Sequence, residues 1–217
     1  MIDFSAARRH MVDGQLRPNR VVSPALLDAM ADVAREDFVP KAAKGIAYMD
    51  EDLPVGDGRY LLAPLTLARL IQAAAPGKHD TVLDIGGATG YSTGVLSRLA
   101  GTVISIEQDH PMVDRARNAL QGVGVENVEV FVGPLAEGYA KRAPYHVILI
   151  NGAVDEVPEK LLAQLAEGGR LATVIGTGPV GRATLLTKRR GVASAQILFD
   201  AAVPALKDFA KEPGFVF

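Results

Sequence analysis

The 217-residue chain contains no cysteine, which excludes disulfides and thiolate metal sites. Its four histidines (10, 79, 110 and 146) are scattered and form no ligand-spaced pair, so no metal is expected. It also lacks an excess of either charge, with 23 Lys+Arg against 25 Asp+Glu. A general nucleic-acid binder shows a basic surplus, so no nucleic-acid partner is expected. No apolar run reaches membrane-spanning length, and the first residues carry Asp3, Arg8, Arg9 and His10 instead of a signal-peptide core. The expectation is a cytoplasmic protein with no membrane partner. Internal repeats and low-complexity segments are absent as well.

The length suffices for one α/β domain with a full core. Residues 3–17 read as a first helix. Ser23-Pro24 sets up a second, with serine as N-cap and proline in the first turn. Leu26, Leu27, Met30 and Val33 fall on its one face. Residues 41–62 read as turns, with Asp50, Asp52 and Asp57 on a solvated face. Pro64 opens a helix to about Ala74 that buries Leu67, Leu70 and Ile71.

From Thr81 strand and helix patterns alternate. Strands are predicted at 81–85, 102–106, 128–132, 145–150, 170–175, 183–188 and 195–199. Helices are predicted at 91–100, 111–121, 134–140 and 158–166. This alternation specifies a mostly parallel sheet with helices on both faces and an antiparallel C-terminal hairpin. The whole span 1–217 reads as a single domain: 1–75 supplies helices and a loop that cover the site, and 76–217 supplies the ligand-binding core.

The most informative stretch is Thr81-Val82-Leu83-Asp84-Ile85-Gly86-Gly87-Ala88-Thr89-Gly90-Tyr91. A strand runs into a small-residue turn and then into a helix start with free N–H groups, which makes a nucleotide cradle. Val103-Ile104-Ser105-Ile106-Glu107 follows as a second strand ending in a carboxylate, placed to bind both ribose hydroxyls. The turn is not the dinucleotide Gly-x-Gly-x-x-Gly. With Asp84 two places before its first glycine, it resembles motif I of the class I S-adenosylmethionine (AdoMet) methyltransferases. The amino-acid end of AdoMet is zwitterionic, and an acidic side chain suits its ammonium group.

Further segments extend the resemblance: Val33-Ala34-Arg35-Glu36-Asp37-Phe38-Val39-Pro40, Ala47-Tyr48-Met49-Asp50, Leu53-Pro54-Val55-Gly56-Asp57-Gly58, Pro144-Tyr145-His146-Val147-Ile148, Pro158-x-x-Leu161-x-x-Gln164-Leu165 and Gly168-Gly169-Arg170-Leu171. In this order the chain resembles the protein-L-isoaspartate O-methyltransferases over nearly its full length. The resemblance implies a Rossmann-like fold, AdoMet as cofactor, and methylation of isoaspartyl carboxylates in damaged proteins. It places cofactor contacts at Asp84, Gly86, Gly87, Ala88, Gly90, Tyr91, Glu107, Pro134 and Leu135.

The chain departs from the family pattern at this pocket. Tyr60-Leu61-Leu62-Ala63 replaces the family's Thr-Ile-Ser-Gln, so the serine position is Leu62 and Tyr60 is the neighbouring candidate. Tyr48 reads as a packing residue. Ala88 replaces a glycine, and Pro134 replaces an aspartate near the adenine, leaving stacking against Ile106 and Leu135. Asn151-Gly152-Ala153 stays close to the family's small-residue loop. Besides isoaspartyl proteins, the departures leave open an unknown small-molecule acceptor or an AdoMet-binding module without catalysis.

Overall fold

The computed structural model describes residues 2–210, so Met1 and 211–217 of the 1–217 span lie outside the described residues. Asp3 caps α1 (Phe4–Met11) by accepting the Ala6 N–H at 2.9 Å. The single helix predicted over 3–17 changes pitch instead. A π turn at Val12–Leu16 is followed by a 3-10 turn at Arg17–Asn19. Pro18 lacks the N–H that an α ladder would use there. Ser23 caps α2 (Pro24–Asp32) as expected, its hydroxyl accepting the Leu26 N–H at 3.4 Å.

Residues 41–62 hold more structure than turns. A 3-10 helix spans Lys41–Ile46, and a small hairpin joins β1 (Leu53–Gly56) to β2 (Arg59–Leu61). Asp57 and Gly58 turn the hairpin with φ of +54° and +71°, a conformation that Asp-Gly favours. The next helix, α3 (Pro64–Ala74), has no capping side chain at Ala63. Asp52 accepts the Ala63 N–H at 2.7 Å and Asp50 the Leu65 N–H at 3.0 Å. Those two acids therefore cap α3; Asp50 stays solvent-exposed as expected, whereas Asp52 is half-buried.

The main sheet contains β3 (Thr81–Ile85), β4 (Thr102–Glu107), β5 (Val128–Val132), β6 (Tyr145–Val154), β7 (Leu165–Ile175), β8 (Gly181–Arg189) and β9 (Val192–Ala201). Their order is β5-β4-β3-β6-β7-β8-β9. The first five run parallel, and β8 and β9 add antiparallel. Side chains alternate between two cores. Val82, Val103, Val147 and Leu149 face one, together with α1 to α3, while Leu83, Ile104, Ile148 and Ile150 face the other.

The connecting helices are α4 (Tyr91–Leu99), α5 (His110–Gly122) and α6 (Glu159–Ala163). Two predicted helices are shorter than read. Over 134–140 the chain makes only 3-10 turns, at Leu135–Glu137 and Ala140–Arg142, because Gly138 at φ +62° interrupts the ladder. The helix expected over 158–166 stops at Ala163. The Gln164 carbonyl accepts the Tyr145 N–H at 2.8 Å, and Leu165 is already paired to Tyr145 in the sheet. Chain order breaks between β3 and β6, and a crevice forms at such a switch point beyond the carboxyl ends of the strands.

Candidate functional site

The 86–90 turn joins β3 to α4 at that crevice. Gly86, Ala88 and Gly90 have φ of +69°, +53° and +97°. A Cβ on Gly87 would stand 2.7 Å from Asp84 Oδ2, so the bare backbone is required there. Ala88 holds the left-handed conformation with a side chain, at a strain of roughly 1 kcal/mol.

Asp84 is wholly buried. Its Oδ2 accepts from Ser92 Oγ at 2.8 Å and Thr93 Oγ1 at 2.6 Å, and its Oδ1 from Asn151 Nδ2 at 2.7 Å. Burial pushes its carboxyl pKa up, the three donors oppose that rise, and the charge of Glu107 adds to it. The carboxylate, expected to meet the ammonium group, engages these three side chains with both of its oxygens. It ties the turn, α4 and β6 together.

Glu107 ends β4 with its side chain 1% exposed. Oε1 accepts the Ala88 N–H at 2.7 Å, and Oε2 the Gln108 N–H at 3.2 Å. The turn and the acid expected to work together are thus joined by one hydrogen bond. A partner the sequence did not disclose, Arg59 of β2, also donates to Oε1 from Nη2 at 2.8 Å and Nε at 3.3 Å. The two residues are 48 positions apart, and no local pattern links them.

A cavity of about 250 Å³ adjoins this pair, lined by Gly58, Arg59, Glu107, Gln108, Lys207 and Asp208 among others. Pro134 and Leu135 do not line it. Pro134 is exposed, while Leu135 and Ile106 belong to the core. Ile106 and Leu135, expected as apolar adenine walls, are buried in the core, and the cavity beside Glu107 is lined by charged residues. Leu135 still abuts the turn, with Cδ1 3.5 Å from the position of a Cβ on Gly86.

Tyr91 is wholly buried, edge-on to Phe38 with centroids 5.8 Å apart. The Arg35 guanidinium lies 4.7 Å from its ring centre. Arg35 donates to the carbonyls of Ala47 and Leu62, both at 2.8 Å. Burial lowers the Arg35 pKa and raises that of Tyr91. Tyr91, the first residue of α4, therefore lies in the core between Phe38 and Arg35. Beside it Tyr60, Leu62, Gly87, Tyr91 and Asn151 surround a hollow of about 10 Å³. Leu62, 3% exposed, fills the serine position, whereas Tyr60 is 37% exposed. Tyr48 packs as read, its hydroxyl donating to Glu36 and accepting from Arg8.

The far wall comes from residues after the last strand. Pro204 accepts the Ala153 N–H at 2.9 Å, and the Leu206 N–H donates to the Ala153 carbonyl at 2.8 Å. Leu206 Cγ lies 2.6 Å from the position of a Cβ on Gly152, and its Cδ1 lies 3.4 Å from that on Gly86. Gly86 and Gly152 make room for this side chain. Among the described residues no group of three or more His, Asp or Glu could hold a metal ion, and no helix is long and apolar enough to cross a membrane.

The model of the protein-L-isoaspartate(D-aspartate) O-methyltransferase family matches residues 6–203. The protein-L-isoaspartate O-methyltransferase of Methanoculleus marisnigri is 37% identical over 184 residues, covering 85% of this chain and 84% of its own. That of Methylorubrum populi is 40% identical over 187 residues, covering 86% and 87%. A solved protein-L-isoaspartate O-methyltransferase superposes with a TM-score of 0.81 at 27% identity, over 93% of this chain and 67% of the other. A Plasmodium falciparum structure in complex with S-adenosyl-L-homocysteine shares the fold, with a TM-score of 0.78 at 19% identity over 96% of this chain and all of the other. With a family match from residue 6 to residue 203 and the motif I turn joined to its acid, the chain belongs to the protein-L-isoaspartate(D-aspartate) O-methyltransferases, a family of AdoMet-dependent enzymes.

Proposed function

We propose that this chain methylates isoaspartyl carboxylates in proteins. The observation that carries the reading is the 2.7 Å bond from the Ala88 N–H to Glu107, which locks the glycine turn to the acid at the ends of adjacent strands. The residues fit AdoMet. Glu107 offers acceptors for two hydroxyls, and Gly86 has no side chain on the face that the Arg59 guanidinium now covers. In this reading Gly86, Gly87, Ala88, Gly90 and Glu107 hold the cofactor, while Asp84 acts by holding the turn and Tyr91 by packing in the core. The described parts of 1–75 and 76–217 form one domain, a view supported by the core that α1 to α3 share with the sheet. The reading also places the enzyme in the cytoplasm, where a chain without cysteine has no redox liability.

When bound, AdoMet supplies an electrophilic methyl group on sulfur. The chain's own residues supply position and dryness. A carboxylate is already a nucleophile at neutral pH, so no general base is required of them. Leu61 and Leu62 exclude water from the acceptor corner, and Tyr60 stands at its exposed edge.

A second reading rests on Leu62, whose apolar side chain leaves the acceptor corner without the family's hydroxyl. It assigns a different, small-molecule acceptor. A radiolabelled methyl-transfer assay on an isoaspartyl peptide, against the same peptide with normal aspartate, tests both. Transfer to the isoaspartyl peptide alone is expected. Transfer to neither, with S-adenosylhomocysteine bound by calorimetry, selects the second reading. No calorimetric binding by folded protein rejects both.

A further inference from the structure

Glu107 is already engaged by a cation of the chain's own. The Arg59–Glu107 pair lies at 2.8 Å with side chains 12% and 1% exposed. Arg59 Nη2 lies 2.5 Å from the position of a Cβ on Gly86, so the guanidinium rests on the bare glycine of the turn. That is the ground a cofactor held by Gly86 and Glu107 would use.

Arg59 is the first residue of a hairpin strand. Arg115 anchors the hairpin through the Val55 carbonyl at 3.1 Å and Asp57 at 2.5 Å. Asp57 is thereby engaged elsewhere. Once ribose hydroxyls occupy Glu107, the guanidinium loses its partner in a nearly buried place. Arginine does not shed its charge, so it takes another anion; Asp109 and Asp208, which line the same cavity, are the chain's own competitors for it, and the peptide arm of the test below separates them from an acceptor carboxylate. The adjoining acceptor corner, around Tyr60, Leu62, Gly87 and Asn151, contains no cation among its lining residues. Its Leu61, Leu62 and Leu67 bring no side-chain donor for a carboxylate.

We propose that Arg59 exchanges carboxylates: it holds Glu107 until AdoMet takes that acid, and then holds the carboxylate of the methyl acceptor. The inference rests on the function proposed above and adds a specificity-determining residue to it. Two consequences follow. Cofactor binding must break an ion pair, and cofactor and acceptor each favour the other's binding, because linkage is reciprocal.

The test is calorimetric titration of S-adenosylhomocysteine into wild type, Arg59→Gln and Arg59→Lys, with and without a saturating isoaspartyl peptide. No turnover is needed. Without peptide, Arg59→Gln is expected to bind about tenfold tighter than wild type, since no ion pair to Glu107 then has to break. Peptide is expected to tighten binding several-fold in wild type and not in Arg59→Gln. Arg59→Lys keeps the charge but not the fork, and should retain part of the coupling. It also decides the matter if Arg59→Gln does not fold: peptide coupling equal to wild type in Arg59→Lys overturns the role of the guanidinium. Equal affinities in wild type and Arg59→Gln overturn the inference alone, as does equal peptide coupling. Binding by neither protein rejects the cofactor reading, and this inference with it.

Discussion

Leu62 combines two roles at one residue. Its side chain fills the corner beside Asn151 and Gly87, and its carbonyl accepts from the buried Arg35. Leu62→Ser is expected to destabilise the fold by about 2–5 kcal/mol, as buried large-to-small changes do. It should also raise turnover of an isoaspartyl peptide by restoring a hydroxyl. Urea unfolding and the methyl-transfer assay separate the two effects; a lower rate in a folded variant would show that the apolar corner serves the reaction as it stands. Asp84 sets a different balance. Its folded carboxyl pKa lies above the ordinary 3.8, with burial as the first cause. Between 3.8 and the raised value the folded state holds more protons than the unfolded chain. Stability therefore falls as pH rises through that window. Asp84→Asn removes this dependence, so the difference in unfolding free energy should move in the variant's favour across the window. A difference that stays constant with pH would show that Asp84 titrates alike in both states.

At the scale of elements, α3 shows how much local chemistry discloses. Pro64 at its start and the buried face of Leu67, Leu70 and Ile71 were legible, and its bounds agree with the reading. Its capping acids were not, because Asp50 and Asp52 reach it from a loop more than ten residues away. Its end holds Ala75 at φ +46°, exposed, with the N–H bonded to the Ile71 carbonyl at 2.9 Å. Glycine adopts that conformation without strain. Ala75→Gly is expected to stabilise the protein by about 0.5–1 kcal/mol, visible as a higher thermal midpoint. An unchanged or lower midpoint would mean that the added freedom of the unfolded chain outweighs the relief. The β1–β2 hairpin was missed despite its Asp-Gly turn, because strands of four and three residues give too little alternation to stand out.

Across the whole molecule, the parallel sheet, the turn and Glu107 were legible because each is written in consecutive residues. What surrounds them was not. Arg59, Asn151 and Leu206 reach the turn from β2, from β6 and from beyond β9, over separations that no local pattern spans. Leu135, placed beside the adenine by the resemblance, and Ile106 are buried in the core next to the turn. The contribution from beyond β9 has a temporal consequence. Residues 204–206 close the crevice against Ala153, Gly152 and Gly86, yet they follow every strand of the sheet. On the ribosome, the parallel sheet and its glycine turn emerge first and can fold while this wall is still unmade. A nascent chain can therefore fold its core before its crevice is finished, and the site is completed only when that segment emerges and docks.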